Sequence, residues 1–288
     1  MEEKSKYVYL DWNTMKSIKN NKKLEFTAII DILKINFKVP YSYAHLCDLQ
    51  KKFSNDTKEL VKNDLEFIDK LTNGDMLGMY EDDWIISKQN IFERINEVSK
   101  FNTLNYEAIT KEKRDEIRKI GLGTYIKDEH EKEFIPLIKS ILDRFNSTPE
   151  LYSQFREIFN QENSEKDLQH FNRLRKKINQ KDLKEIVLQE LKLNGNAKPC
   201  ISEQICTAYR LLEFNPQYKE KVTEKSSFSN IYNDGQHMKF ASNAKYYITN
   251  DKKSKKKIEF IYNTYDIKTE VCTVDEFIEN YIIQDAKM

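Results

Sequence analysis

Glycine and proline are scarce in this chain, which has 6 glycines and 5 prolines among its 288 residues. Because both residues mark tight turns, their scarcity favours long helices over many short hairpins. There are 4 cysteines, and they form no C-x-x-C pair and have no nearby histidine at zinc-ligand spacing. We therefore expect reduced, mostly buried thiols and no metal–thiolate chemistry.

The chain also lacks long apolar runs and an excess of either charge. Its first residues contain no apolar stretch long enough for a signal peptide, and no later stretch approaches the ~18 apolar residues of a membrane span. These absences predict a cytoplasmic protein with no membrane partner. The 48 basic and 47 acidic side chains give a formal net charge of +1. Any site for a polyanion must therefore come from a local patch of charge.

Both ends of the chain alternate between strand-like and helix-like segments. The predicted strands are residues 7–10, 37–40, 246–249 and 268–272, and the predicted helices are residues 14–34, a helix capped by Ser42, and residues 234–244, 254–262 and 274–283. Strands that alternate with helices in this way predict a mainly parallel sheet.

The middle of the chain differs from its ends in composition and in sequence pattern. Its charged, repeatedly amphipathic segments predict an α-helical block, interrupted by a small hairpin over residues 76–87 with its tip at 81–83. We therefore expect an α/β fold with a doubly wound, mainly parallel sheet formed from both chain ends. Residues 1–54 and 226–288 would form this domain, and residues 55–225 would form a large α-helical insertion.

Four aspartates stand out because of their positions relative to these elements. Asp11 and Asp251 each follow a predicted strand, and ligands of open parallel sheets bind just outside the carboxyl ends of the strands. Two further acids could face the same carboxyl ends of the strands. Asp48 lies in the helix after the second strand, and Asp234 lies at the start of a helix. Four carboxylates repel one another unless a divalent cation lies among them, and such oxygen ligands select Mg²⁺ or Mn²⁺.

The segments around these acids resemble those of the PIN-like nuclease family. YLDWN, with Asp11 and Asn13, resembles the family's opening strand, and Ser42 followed by Asp48 resembles its second acidic segment. NDGQHMKFASNAKYYITND resembles the family's terminal segment, with a first acid that opens a helix and a T-x-D strand end 17 residues later. The resemblance covers roughly residues 7–50 and 230–285, and is closest to PIN-like proteins with large helical insertions.

The resemblance implies a metal-dependent endonuclease, in particular an endoribonuclease of the toxin, RNA-processing or defence type. One or two Mg²⁺ or Mn²⁺ ions would bridge the carboxylates, polarise the scissile phosphate and lower the pKa of a bound water. Asp11, Asp234 and Asp251 would be metal ligands, and Asp48 would bind metal or orient the water. Asn13 and Thr249 would hydrogen-bond those carboxylates or a phosphate oxygen.

Two features of the chain depart from the family pattern. Asp48 occupies a position where glutamate is more usual, and its shorter side chain changes the distance to a metal. The predicted insertion is far longer than in a minimal PIN domain, which leaves the choice of substrate open.

Two roles are considered for each of several side chains near the proposed site. His237, one helical turn after Asp234, either contacts substrate or packs in the interior, and packing is the favoured interpretation. Lys252 and Lys253 open a run of lysines that either neutralises phosphates or forms a solvated helix face. Trp12 either stacks a base or belongs to the core, and the core is favoured because it ends a buried strand.

The sequence also leaves competing functions open. RNA is favoured over DNA as the nucleic-acid partner on the resemblance alone, and a free nuclease would endanger its cell, so a regulatory protein or complex is expected. The main alternative is a catalytically inactive PIN-like scaffold or RNA-binding protein. A phosphatase of the haloacid dehalogenase type is disfavoured, because its second acid would stand where this chain has Asn13.

Overall fold

The computed structural model describes residues 7–20, 24–80, 83–103, 144–145, 147–159, 169–193, 196, 198–221 and 228–285. In these residues the chain is an α/β protein that is mostly helical and contains a small parallel sheet. Its contacts divide it into two compact units, which are described separately below. The first is Met1–Thr103, Phe240–Lys255 and Ile267–Met288, and the second is Leu104–Lys239 and Lys256–Asp266.

The described strands are β1 (Val8–Leu10), β2 (Asp75–Tyr80), β3 (Asp83–Lys88), β4 (Tyr246–Ile248) and β5 (Glu270–Cys272). The described helices are α1 (Trp12–Asn20), α2 (Leu24–Asn36), α3 (Tyr43–Gln50), α4 (Lys58–Thr72), α5 (Ile91–Thr103), α6 (Pro149–Phe159), α7 (Gln169–Leu174), α8 (Gln180–Leu193), α9 (Ile201–Leu211), α10 (Phe228–Ala241), α11 (Lys252–Thr264) and α12 (Val274–Asp285), with a 3-10 turn at Leu212–Phe214. None of the described helices is long and apolar enough to cross a membrane.

The first unit is built on a three-stranded parallel sheet with the order β1-β4-β5. Leu10 pairs with Ile248, and Ile248 pairs with Cys272, so all three strands end at the same level. Apart from Glu270, every residue of these strands is buried, as expected when helices cover both faces of a parallel sheet. The prediction of a parallel sheet formed by both chain ends is confirmed.

The predicted strand over residues 37–40 is wrong. Only Lys38 joins the sheet, through a single parallel bridge to Tyr7 on the open side of β1. The Val8 amide donates to the Lys38 carbonyl at 2.9 Å, but Pro40 has no N–H with which to extend a ladder. The predicted helix 14–34 falls on α1 and α2, and residues 21–23 lie outside the described part.

The predicted hairpin is confirmed by the antiparallel pairing of β2 with β3, from Asp75 opposite Lys88 to Tyr80 opposite Asp83. It follows α4 through Asn73 and Gly74, whose φ angles of 52° and 71° end the helix in the left-handed region. Residues 81 and 82 of the predicted tip lie outside the described residues.

The described part of the second unit is helical and contains a buried network of charged groups. The Lys257 ammonium is paired with the Glu213 and Glu220 carboxylates, and Arg156 donates to Glu213 at 3.0 Å. Tyr209 donates its hydroxyl to Glu220 at 3.2 Å. Buried charges are tolerated when they are paired and hydrogen-bonded. Through these contacts the network joins α6, α9, α11 and the segment after α9 that carries Glu213 and Glu220.

Candidate functional site

Two predicted acids lie just past the carboxyl ends of neighbouring strands. Asp11 follows β1 directly, and its amide donates to the Ile248 carbonyl at the end of β4 at 3.4 Å. Asp251 comes three residues after Ile248. The parallel topology therefore brings both residues to one end of the sheet, which we call the carboxyl rim and define by Asp11 and residues 249–251.

Asp11 is largely buried, with 8% of its surface exposed. Its Oδ1 accepts a 2.6 Å hydrogen bond from the Thr14 amide, so the carboxylate caps α1 and is held in a fixed orientation. The Trp12 Nε1 and the Thr14 hydroxyl are buried and have no hydrogen-bond partner in the structure. Trp12 is 2% exposed, which agrees with its interpretation as a core residue.

Asp48 lies on α3, where its carboxylate is 3.5 Å from the Lys51 ammonium. The pKa of the buried Tyr9 hydroxyl is raised well above its usual value, mainly by burial, and the negative charges of Asp48 and Asp11 raise it further. Both carboxylates therefore lie within electrostatic reach of one hydroxyl. The structure places Asp11 directly after β1 and Asp48 on α3.

α3 is positioned by a cap that also contacts the end of β1. Ser42 begins the helix as predicted, with its hydroxyl accepting from the Ala44 amide at 3.3 Å. His45 Nδ1 accepts from the Ser42 amide at 3.0 Å, and its Nε2 lies 2.8 Å from the Leu10 carbonyl, so Nε2 carries the proton. His45 thereby ties the start of α3 to the residue before Asp11.

His45 is a positioning residue that the sequence interpretation missed. The spacing Ser42-x-x-His45 is that of a capping box, in which the third residue of the helix usually is glutamate or glutamine. That spacing was the available signal, although the substitution of histidine hides it.

Asp251 is exposed and caps α11. Its Oδ1 accepts from the Lys253 and Ser254 amides at 2.9 and 3.0 Å. The buried Thr249 hydroxyl accepts from the Asp251 amide at 3.2 Å, so Thr249 holds the backbone of the acid. Asn250 Oδ1 accepts from the Val274 amide at 3.2 Å, which fixes the rim against the start of α12.

The remaining polar candidates of the first unit are at the surface. Asn13 is exposed in the first turn of α1, and Lys252 and Lys253 are exposed in the first turn of α11. The lysine run does not form one solvated face, however. Lys255 pairs with Glu276 at 2.6 Å, and Lys257 is fully buried in the charged network of the second unit.

Asp234 and His237 belong to the second unit, where both lie on α10. The prediction that Asp234 opens a helix is wrong, because α10 begins at Phe228 and Asp234 lies in its interior. Asp234 is half-buried, and His237 is 1% exposed, which agrees with the packing interpretation of this histidine. Between them, Gly235 packs against Tyr209 so closely that a Cβ atom would lie 3.3 Å from Cδ1 of the ring. α10 therefore approaches α9 at the position directly after Asp234.

A metal site built from three or more protein groups is absent from the part of the chain that the structure describes. No three His, Cys, Asp or Glu side chains there lie close enough together to hold a metal ion. Asp11 and Asp48 offer two carboxylates, and Mg²⁺ is commonly held by one or two carboxylates together with waters and substrate phosphates. The donor set fits such an ion, but not a cation that needs a closed protein cage.

Comparisons with known protein families, curated proteins and solved structures gave no significant match. The PIN-like fold and its nuclease activity therefore stay predictions that depend on the segments quoted above.

Proposed function

We propose that the chain is a metal-dependent nuclease of the PIN-like type that hydrolyses phosphodiester bonds at the carboxyl rim. The observation that supports it most is that Asp11 follows β1 directly, while His45 ties α3, the helix that carries Asp48, to Leu10, the last residue of the same strand. Asp251 follows the neighbouring strand of the same sheet. Acids at the ends of adjacent parallel strands are typical of ligand sites in open α/β sheets.

Each residue has a role that follows from its contacts. The Thr14 amide orients the Asp11 carboxylate, and His45 holds α3, which carries Asp48, against the end of β1. A Mg²⁺ or Mn²⁺ ion would polarise the scissile phosphate and activate a water near neutral pH. Lys252 and Lys253 are exposed beside Asp251, where ammonium groups would contact phosphates. Asp234 enters the proposal on its sequence pattern alone.

A second candidate function is a PIN-like protein that binds nucleic acid without cleaving it. Two observations favour it. Asp11 and Asp251 each cap a helix, which is a structural role that needs no metal. In addition, the described residues contain no group of three metal-binding side chains.

A cleavage assay separates the two candidates. The full chain is incubated with single-stranded RNA and DNA oligonucleotides in Mg²⁺, in Mn²⁺ and in a chelator. Asp11→Asn is the test variant because asparagine caps a helix as well as aspartate does, so α1 keeps its cap. Asp31→Asn, at an exposed position of α2, is the matched control.

The nuclease proposal predicts cleavage that needs the metal and that falls at least ~100-fold in Asp11→Asn. Even the loss of a residue that only hydrogen-bonds to a metal ligand typically lowers metal affinity or activity about 10–100-fold. Asp31→Asn should cleave as the unmodified chain does. Absence of cleavage in either metal, or equal cleavage by Asp11→Asn, would overturn the nuclease proposal and favour the binding protein.

A further inference from the structure

Three lysines from two separate segments come together beside the carboxyl rim. Lys16 lies on α1, one turn after Trp12, and Lys51 and Lys52 directly follow α3. The Lys52 ammonium lies 5.5 Å from the centre of the Trp12 ring, and the Lys51 ammonium lies 3.5 Å from Asp48. All three lysines are exposed. We call them the lysine cluster.

The cluster places like charges close together. Burial lowers the pKa of Lys52, and the charges of Lys16 and Lys51 lower it further. The nearby carboxylates, Asp48 and Asp64, offset this repulsion in part, but Asp64 already pairs with Lys19 at 2.6 Å. An anionic ligand would relieve the repulsion, because each phosphate brings a negative charge to the ammonium groups.

A large aromatic residue directly follows the cluster in the chain. Phe53 is 48% exposed, although its amide is fixed by a 3.1 Å hydrogen bond to the Gln50 carbonyl. The turn that carries it is closed by the Thr57 hydroxyl, which donates to the Lys52 carbonyl. Exposed aromatic rings beside ammonium groups are the elements with which proteins bind single-stranded nucleic acid, because each unpaired base presents a face for stacking.

We propose that the lysine cluster binds the phosphates of a single-stranded nucleic acid while Phe53 stacks one of its bases. The bound strand would lie beside Asp48, which pairs with Lys51, and beside Lys52, whose ammonium lies over the ring of Trp12, the residue after Asp11. This inference rests on the proposed function, because it identifies the surface that delivers the substrate to the same acids. A duplex is excluded from the stacking contact because its bases are paired and stacked.

The test measures binding without cleavage. The full chain is titrated into a fluorescently labelled single-stranded oligonucleotide in a chelator, and anisotropy is recorded at several salt concentrations. The test variant carries Lys16→Gln, Lys51→Gln and Lys52→Gln. The control carries Lys34→Gln, Lys38→Gln and Lys268→Gln, which removes the same charge from exposed positions of the first unit.

The test variant should bind at least ~10-fold more weakly, and its slope of log affinity against log salt should be smaller by about 2, since each contacted phosphate contributes ~0.7 in single strands. The control should bind as the unmodified chain does. Equal weakening in both variants, or no weakening in the test variant, would overturn the phosphate-binding role.

Phe53→Ala tests the stacking contact, with Phe92→Ala as its control because Phe92 is also an exposed phenylalanine, at 37%. Loss of one base stack lowers affinity ~5- to 100-fold and leaves the salt slope unchanged. Equal affinities for the two variants, or duplex binding as tight as single-strand binding, would overturn the stacking role.

Failure of this inference and failure of the nuclease proposal give different results. If Asp11→Asn abolishes cleavage while the lysine variant binds normally, the surface is wrong and the nuclease proposal stands. If binding in the chelator depends on the cluster but no metal supports cleavage, the surface stands and the nuclease proposal is wrong. Parallel RNA and DNA oligonucleotides show which strand chemistry the surface prefers.

Discussion

Lys257 and Glu213 form an ion pair in which both side chains are almost fully buried within the second unit. A second carboxylate, that of Glu220, lies 2.7 Å from the same ammonium, which is also 4.1 Å from the centre of the Tyr209 ring. Burial raises the pKa of the Glu213 carboxyl, and Lys257 counteracts this by stabilising the ionised form. The network depends on its central cation.

Lys257→Met should therefore lower the free energy of unfolding by about 3–5 kcal/mol, because it removes the ammonium that pairs with two buried carboxylates, while Arg156 still contacts Glu213. Lys256→Met, at the exposed neighbouring position, should lower it by less than about 1 kcal/mol. Urea unfolding of both variants provides the comparison. Equal losses would show that the buried pair does not stabilise the unit.

Ser42→Ala should destabilise the first unit. The substitution removes the cap of α3 and leaves the buried Tyr9 hydroxyl without its 2.6 Å contact to Ser42 Oγ. We expect the free energy of unfolding to fall by about 1–3 kcal/mol. Ser17→Ala, within α1, is the control and should change it by about 0.5 kcal/mol or less, since alanine favours a helix interior. A Ser42→Ala variant as stable as the control would contradict the role of the cap.

Buried tyrosines predict a loss of stability at alkaline pH. Burial is the largest cause that raises the pKa of Tyr7, Tyr9, Tyr41 and Tyr152 above the usual value of 10.0. The folded chain then holds these protons more tightly than the unfolded chain does. Their contribution is fully present below about pH 10 and is lost as pH rises above it, when the unfolded state ionises first.

The measurement is urea unfolding between about pH 8 and pH 11, followed together with tyrosinate absorbance. Stability should fall above about pH 10, and the buried tyrosines should ionise only as the chain unfolds. Complete ionisation of all tyrosines near pH 10 in a chain that stays folded would contradict their burial.

Alanine substitutions at two glycines of the hairpin region should change the free energy of unfolding in opposite directions. At Gly74 the nearest atom to an added Cβ is 3.5 Å away, so Gly74→Ala is opposed by the positive φ of 71° and not by a clash. It should lower the free energy of unfolding by about 1–2 kcal/mol. Gly78 lies in β2 with nothing within 4 Å of an added Cβ, and Gly78→Ala should raise stability by about 0.4–1 kcal/mol. Thermal unfolding of both variants tests this, and a shift of the same sign would refute it.

The sequence predicted the ends of β1 and β4 well, because short buried runs that stop at a polar residue carry a local signal. The cap at Ser42 could likewise be predicted, because a serine directly before a helical segment is itself a local signal. The failed strand at residues 37–40 shows the limit of such signals, since pairing there depends on an open edge of β1 and on Pro40, which cannot donate.

The ion-pair partners of the lysines could not be predicted from the sequence. Lys255 and Lys257 are two residues apart, yet their partners Glu276, Glu213 and Glu220 come from remote segments. The lysine cluster likewise forms only because α1 and the turn after α3 pack together. Asp48 was linked to Asp11 by a family pattern, and the structure adds the contact between His45 on α3 and the Leu10 carbonyl at the end of β1, which joins residues 35 positions apart.

The central claim is that Asp11 and Asp48 hold a divalent cation, and Mn²⁺ binding to the full chain tests it most directly. Electron paramagnetic resonance measures the free Mn²⁺ as the chain is titrated, with Asp11→Asn, Asp48→Asn and the control Asp31→Asn compared with the unmodified chain. We predict that the unmodified chain and the control bind Mn²⁺ and that Asp11→Asn and Asp48→Asn each bind it at least ~10-fold more weakly. An unmodified chain that binds no Mn²⁺, or Asp11→Asn and Asp48→Asn variants that bind it as well as the unmodified chain does, would contradict a metal site at these two acids.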